Sequence, residues 1–281
     1  MTYREYAPPV PLRGLVECLW LIRDPRTRRA RPTEHIIPDA CPEIIVHLDD
    51  RFSRWMDGRW RRQPVVFLAG TLTRPWKLLP GVRVRTLGIR FRPAGVTRFF
   101  DIEMQTATDR EVPLGTLAGA DRAGDLISAL HGCQTDARLI AAARRWLVTC
   151  ARVGPRRDDL ASRAAGVVLA DRGRMRVAAL ARHLEVSRRR LERSFARHIG
   201  IRPKLFTRIV RLQAVLATLG AAERGPAVEW ALEAGYFDQA HLARDFRAIA
   251  GRRASRPRER DGELARHFSD PERVLALLRG E

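Results

Sequence analysis

The sequence has almost no lysine. Of its 52 basic residues, only Lys77 and Lys204 are lysines, and the other 50 are arginines. Arginine presents a planar fork of donors that suits phosphate and guanine, which lysine's point charge does not. An arginine-rich proteome would produce the same preference on any surface, so the preference alone leaves both explanations open.

Cysteine is also scarce and scattered, and no two cysteines form a Cys-x-x-Cys pair. This usage excludes a disulfide framework and predicts reduced thiols in the core of a cytosolic protein. A zinc site would need His35, Cys41 or His47 to converge, which remains an alternative. The four cysteines are Cys18, Cys41, Cys133 and Cys150.

Long apolar runs are absent. No stretch approaches the roughly 18 apolar residues of a membrane-spanning helix. The first nine residues, Met1 to Pro9, lack the apolar segment of a signal peptide. We therefore expect no membrane association and a cytoplasmic location.

Acidic residues are outnumbered, and the imbalance is uneven. The formal net charge is +20 over 281 residues, and the sequence pI is near 11.4. Residues 174–258 alone hold 19 Arg or Lys against 7 Asp or Glu. Each phosphate met by a basic side chain releases counterions, so this cluster predicts a polyanionic partner.

The chain divides near residue 155. Residues 1–150 contain short runs rich in β-branched and aromatic residues, bounded by turn residues, and later two helical patterns. They predict a β-rich sandwich or barrel with helices, and the run from Val82 to Phe91 resembles a strand with one wet face. We predict that residues 151–159 form a linker, that 160–256 are helical and that 257–281 form a tail with one helix. The predicted fold class is α+β.

Two helix-turn-helix patterns follow one another in the helical part. In the first, a short alanine-rich helix from Val177 to Leu184 precedes a longer helix that Ser187 caps and Gly200 ends. In the second, residues 227–234 precede a helix that Asp238 caps. Each long helix carries an inward apolar pair four residues apart, and its opposite face is polar. This arrangement presents one helix to the major groove of duplex DNA.

The helical part resembles the AraC/XylS family of transcription regulators over roughly residues 160–255. That family carries two helix-turn-helix units on one rigid linking helix. The residues that match its pattern are Leu180, Ala181, Ser187, Leu191, Arg193, Phe195, Gly200, Pro203, Arg211, Leu212, Ala214, Leu216, Ala231, Gly235, Tyr236, Asp238, Leu242, Arg244, Phe246 and Gly251.

The resemblance also implies which residues meet DNA. The family's base-contacting positions fall on Arg189, Glu192, Arg193, Gln239, Ala240, His241, Ala243 and Arg244. The wider predicted DNA-binding surface adds Ser187, Arg188, Arg197, Arg211, Asp238 and Arg247; for Arg211 a core role is equally consistent with the pattern. Arginine to guanine, glutamine to adenine and glutamate to cytosine are established pairings.

The sequence departs from the family after the second unit. Ala254 stands where the family usually has proline, and Leu242-Ala243 replaces the more usual Phe-Ser. The second unit is therefore expected to bind more weakly than the first, or to contact phosphate more than bases.

The first 150 residues resemble the N-terminal domains of one group of these regulators, through Ile37-Pro38-Asp39 and the run from Leu87 to Gly95. The resemblance implies an effector or regulatory domain without naming its ligand. An excess of aromatics in the predicted strands favours a partly apolar pocket. The predicted lining is Trp20, Trp55, Phe67, Trp76 and Phe91. A filled core or a dimer interface would use the same residues.

The sequence therefore predicts a regulator that binds double-stranded DNA in the major groove, needs no cofactor and is not an enzyme. Further expected partners are a small-molecule effector, RNA polymerase if the protein is an activator, and a second copy of the chain. One alternative is an enzyme that uses His35, Asp39, Glu43 and His47, with the basic part holding nucleic acid. Another is a basic RNA-binding scaffold, although the aromatic platform of single-strand binders is missing.

Overall fold

The computed structural model describes residues 1–24, 32–151, 159–221 and 235–251. Ten strands lie in its N-terminal part, which agrees with the β-rich prediction. They are β1 (Thr2–Tyr6), β2 (Val16–Asp24), β3 (Glu34–Ile36), β4 (Glu43–His47), β5 (Ser53–Met56), β6 (Arg59–Arg62), β7 (Val66–Ala69), β8 (Trp76–Leu79), β9 (Val84–Phe91) and β10 (Glu111–Pro113).

The strands form two antiparallel sheets. The larger has the order β1-β2-β9-β4-β7-β10, and the smaller has the order β3-β8-β5-β6. One apolar cluster joins them, with Trp20 and Phe67 from the larger sheet and Trp76 and Leu78 from the smaller. The two sheets therefore face each other across a shared core, as in a β-sandwich.

The other face of the larger sheet is covered by helices. Of these, α1 (Leu114–Ala118), α2 (Ala120–His131) and α3 (Asp136–Cys150) follow β10. Leu87, Ile89 and Phe91 of β9 pack with them in a second apolar cluster. The strand alternates across the sheet, so residues 84, 86, 88 and 90 lie on the face toward the smaller sheet.

The wet face predicted for the run from Val82 to Phe91 is wrong. Burial on both sides of the sheet leaves β9 almost without exposed residues. Arg90, one of the arginines of this run, is 2% exposed and forms ion pairs with Asp39 and Glu43. Burial alone would lower the pKa of this guanidinium, but the two carboxylates hold it well above its ordinary value.

A close approach explains the glycine in the middle of β9. Gly88 pairs with Trp20 of β2 and with Ile45 of β4. A Cβ at this position would lie 1.9 Å from the Trp20 indole, so only glycine lets the ring rest on the strand. Gly88 therefore allows the Trp20 indole to lie against β9, in the space between the two sheets.

The C-terminal part is helical in every described element. Its helices are α4 (Leu160–Ala170), α5 (Val177–His183), α6 (Arg188–His198), α7 (Pro203–Ala221) and α8 (Gln239–Ala250). These bounds lie close to the predicted ones, because caps and helical spacing mark them clearly. The first helix of the second unit, residues 227–234, and the tail lie outside the described residues.

The cluster of Arg90 generates a prediction about stability. Replacing Arg90 with Met leaves the carboxylates of Asp39 and Glu43 buried without their cation, which should lower the free energy of unfolding by about 3–5 kcal/mol. Urea titration at pH 7.5 measures the loss. Arg85→Met is the matched control from the same strand, because Arg85 is half-buried and donates to a neutral partner, the carbonyl of Cys133. It should cost about 1 kcal/mol, and equal losses for the two variants would contradict the assignment.

Candidate functional site

The first recognition helix is α6, and its local sequence explains its start and its inner face. The Ser187 hydroxyl accepts the backbone N–H of Arg190 at 3.2 Å, which satisfies one open donor at the helix start. Leu191 and Phe195 are fully buried and turn inward. The helix thereby presents its opposite face outward.

That outward face is arginine-rich. Arg189 and Arg193, the two arginines predicted to reach bases, are exposed on the side of α6 opposite Leu191. Arg188, Arg190 and Arg197 are exposed around them. The predicted base contact Glu192 is half-buried and already accepts from Arg188 at 2.9 Å, so it must exchange this partner to meet a base.

The second recognition helix, α8, repeats the design. The Asp238 side chain accepts the N–H of His241 at its start, and Leu242 and Phe246 are buried. The predicted contacts on its outer side are exposed or half-buried. They are Gln239, Ala240, His241, Ala243, Arg244 and Arg247.

Two side chains between the units have structural partners. Arg211 donates to the carbonyl of Gly173 at 2.6 and 3.0 Å and lies 5.3 Å from the ring centre of Tyr236. This geometry favours the core role over the DNA role that was also predicted. Asp245 of α8, which the sequence reasoning missed, is buried and accepts Arg208 of α7 at 2.8 Å. The pair fixes the second recognition helix on the long helix.

A cavity lies between the two sheets of the N-terminal part, with about 640 Å³ of space free of atoms when its open mouth is included. Its wall is mostly aromatic and aliphatic. Trp20, Phe67 and Trp76, three of the predicted lining residues, are part of it. The charged and amide, imidazole or hydroxyl side chains in the lining are Asp39, Glu43, His47, Gln63 and Thr86.

Two predicted lining residues do not line this cavity. Trp55 lies on the β5–β6 hairpin, 43% exposed, with its ring against Trp60. Phe91 belongs to the apolar cluster under the helices, on the other face of the larger sheet. Composition could find aromatics in strands, but the face each one occupies depends on which layers cover the sheet.

A chain of hydrogen bonds runs away from the cavity through His47. Its Nδ1 lies 3.3 Å from the Thr86 hydroxyl, and its Nε2 lies 3.2 Å from Gln63 Oε1. Gln63 donates onward to Glu111 at 2.9 Å. Burial lowers the pKa of His47 to about 4, outweighing the opposing effect of Gln63, so the imidazole is neutral at pH 7.

The residues offered for an enzyme have other partners here. Asp39 and Glu43 both pair with Arg90, and His47 is stacked on Phe52 at 5.2 Å between ring centres. His35 is exposed on β3. Within the described ranges, no group of three His, Cys, Asp or Glu could hold a metal ion.

Comparison with known families supplies the decisive match. Residues 180–260 match a family model described as a helix-turn-helix domain. The chain carries an AraC-type helix-turn-helix domain. Residues 4–113 match a domain of unknown function, DUF6597. The AraC-type domain makes the protein a DNA-binding transcription regulator.

Solved structures that match the chain include ToxT from Vibrio cholerae, at 10% identity and a TM-score of 0.47, covering 91% of this chain and 97% of that one. ToxT bound to (E)-4-(8-methylnaphthalen-1-yl)but-3-enoic acid matches at 8% identity and 0.47, covering 99% and 100%. The AraC-like transcriptional activator CuxR matches at 14% identity and 0.26, covering 75% and 84%. A search of curated protein sequences returned no match. Within the described part of the chain, every helix is too short or too polar to cross a membrane.

The AraC-type domain is fastened to the β-rich part at the end of α6. The hydroxyls of Thr71 and Thr108 donate to the carbonyls of Ile199 and Gly200, at 2.6 and 2.7 Å. Gly200 has φ +94, and a Cβ there would meet the Met104 carbonyl at 2.8 Å. The carbonyl oxygens left open by a helix end are thus satisfied by the other domain.

A second contact joins α7 to the segment before β4. The buried Gln213 side chain donates to the carbonyl of Pro38 at 2.7 Å. Ile37, Ala40 and Cys41 belong to the same apolar cluster as the helices of the AraC-type domain. Asp39 and Cys41 also line the cavity. One short segment therefore contacts both the cavity and the DNA-binding domain.

The lowered pKa of His47 makes stability depend on pH. The folded protein takes up this proton near pH 4, and the unfolded chain takes it up near pH 6.5. The contribution of His47 to the free energy of unfolding is therefore fully present above pH 6.5 and is lost as the pH falls from 6.5 to 4. At pH 5 the loss attributable to His47 is about 2 kcal/mol. Urea titrations at pH 7.5 and 5 should show this loss in the wild type and about 2 kcal/mol less loss in His47→Gln. His131→Gln, at an exposed position, is the control, and an unchanged pH dependence in His47→Gln would contradict the assignment.

Proposed function

We propose that the protein is a sequence-specific regulator that reads successive major-groove segments of duplex DNA with α6 and α8, under the control of a small molecule held between its sheets. The observation that carries the DNA-reading part is the outward face of α6. Its arginines point away from Leu191 and Phe195, on a helix capped at both ends.

The chemistry of the two helices supports a division of labour. Phosphate contacts by the flanking arginines would set register and most of the affinity, and base-edge contacts would set sequence preference. Arg189 and Arg193, exposed on α6, would reach guanine. On α8, Ala240 and Ala243 offer only small apolar contacts, so Gln239, His241 and Arg244 are left to recognise bases there.

Control by an effector is supported by the segment from Ile37 to Cys41. It forms part of the cavity wall, and Pro38 accepts from Gln213 of the AraC-type domain. A ligand that binds one position of this segment more tightly than another supplies a difference in binding free energy. That difference would then shift the equilibrium between positions of the DNA-binding domain that packs on the segment. The proposal places the protein in the cytoplasm with the DNA; contact with RNA polymerase and homodimer formation stay predictions.

The DNA-reading proposal predicts the effect of Arg193→Ala. If Arg193 bonds a base edge, the variant should lose about 1–3 kcal/mol of affinity on the cognate site and relax preference at one base pair. The cognate site comes first from selection of bound duplexes out of a random pool. Fluorescence anisotropy on cognate and scrambled duplexes then measures the loss.

Arg190→Ala is the matched control on the same helix, since Arg190 lies exposed at the flank of the outward face. It should weaken binding equally on both duplexes and reduce the salt dependence by about one ion. Equal losses for Arg193→Ala on cognate and scrambled DNA would show that Arg193 meets only phosphate. Failure to select any duplex would contradict the proposed function itself.

The coupling proposal predicts the effect of removing the threonine contacts. Thr71→Val with Thr108→Val deletes two hydrogen bonds between the domains, about 2 kcal/mol together. We expect calorimetry to resolve two unfolding transitions in place of a single cooperative one. Thr106→Val is the control, because Thr106 bonds only within its own turn, to the Glu103 carbonyl. A single transition unchanged in the double variant would contradict the coupling.

A further inference from the structure

We infer that the cavity between the sheets takes an uncharged, largely apolar molecule that carries one hydroxyl-type group, and that it rejects carboxylates. This inference rests on the proposed function, since it names the chemical class of the effector. It follows from three observations. The cavity wall is mostly apolar, the nearby arginines already have partners, and the hydrogen bonds through Thr86, His47 and Gln63 run in one direction.

The wall selects for apolar surface. Aromatic and aliphatic side chains from both sheets and from the segment before β5 form most of it, including Trp20, Phe52, Phe67, Trp76 and Leu78. These residues are at least 93% buried. Rings on several sides favour a flat, apolar body, because offset and edge contacts with aromatics add to the energy of burial.

Among the described residues, no cation is free to meet an anionic ligand in the cavity. The described lining includes neither lysine nor arginine. Arg90, on the same face of β9 as Thr86, forms its ion pairs with Asp39 and Glu43. Arg54 lies 3.6 Å from the ring centre of Trp76, and donates to the carbonyl of Asp109. His47 is neutral at pH 7, so a buried carboxylate would lose its water without gaining a counter-charge.

A cationic ligand is also disfavoured. The carboxylates in the lining, Asp39 and Glu43, already hold the guanidinium of Arg90, and Asp39 also accepts the backbone N–H of Cys41 at 3.0 Å. An ammonium group would have to compete with this buried pair for its acceptors. The described charges near the cavity are thus already paired with one another, so an uncharged ligand fits the cavity best.

The hydrogen bonds at the polar end run in one direction. Glu111 is an acceptor, so Gln63 donates to it and turns its own oxygen to His47. His47 therefore donates from Nε2 and accepts the Thr86 hydroxyl proton at Nδ1. The Thr86 oxygen keeps lone pairs for a further donor.

A donor lines the same cavity. The indole N–H of Trp76 is buried without a hydrogen-bond partner among the described residues. A ligand hydroxyl can both donate to the Thr86 oxygen and accept from the Trp76 N–H. A carboxylate can only accept, so it would make no hydrogen bond to the Thr86 lone pairs and would also lack a cation.

The experiment compares three probes that share one ring system and differ in charge. They are 2-naphthalenemethanol, 2-naphthoate and 2-naphthylmethylammonium, titrated into the full chain at pH 7.5 by calorimetry. The alcohol should bind at least about tenfold more tightly than either ion. Tighter or equal binding of naphthoate or of the ammonium overturns the inference, and so does a lack of binding by the alcohol.

Two variants locate the binding. Thr86→Val keeps the shape but removes the acceptor, and should weaken the alcohol about tenfold. Ala69→Leu places a larger side chain on the cavity wall and should abolish binding. Thr149→Val, on the exposed side of α3, should change nothing. Alcohol binding that survives both cavity variants would place the ligand elsewhere and overturn the inference.

Anisotropy on the selected duplex without probes separates this inference from the proposed function. The inference fails if the charge order is reversed while the wild type still binds duplex DNA. The DNA-reading function fails if DNA binding is absent, whichever probe binds. Each variant is first melted, and Thr86→Ser, which restores the hydroxyl, should recover alcohol binding if Thr86→Val loses it through the missing acceptor.

Discussion

The buried ion pairs of Arg90 are the constraint on which the rest of the structure depends. The guanidinium extends from β9, one of the two central strands of the larger sheet, and forms ion pairs with Asp39 and Glu43. Because a buried charge is tolerated only with its partners in place, these ion pairs restrict where the segment around Asp39 can lie. That segment forms cavity wall on one side and packs against the AraC-type domain on the other.

The polar chain from Thr86 to Glu111 runs beside this cluster and continues toward the recognition helix. Glu111 lies 3.6 Å from Arg54, and Arg54 donates to the Asp109 carbonyl. Asp109 in turn donates its N–H to Thr71, whose hydroxyl bonds the end of α6. Hydrogen bonds and the Arg54–Glu111 ion pair thus connect the cavity with the DNA-reading surface, and they supply a physical route for the coupling that calorimetry tests.

The DNA-reading unit owes its geometry to contacts of different kinds. Caps at Ser187 and Asp238 fix where the recognition helices begin, and these follow directly from local chemistry. Arg208 with Asp245 fixes how α8 sits on α7, which no local pattern reveals. Arg211 illustrates the difference, since sequence allowed both a DNA and a core role, and its bonds to Gly173 favour the second.

The sequence by itself determined the local elements: helix bounds, caps, the inward pairs Leu191–Phe195 and Leu242–Phe246, and the β-rich character of the first part. These depend on side chains a few residues apart. Only the tertiary structure decided which face of each strand is covered, and so that Arg90 is buried, that Phe91 lies under the helices, and that Trp55 is exposed. Strand alternation separates two faces but does not say what lies on each, because that depends on layers contributed by distant segments.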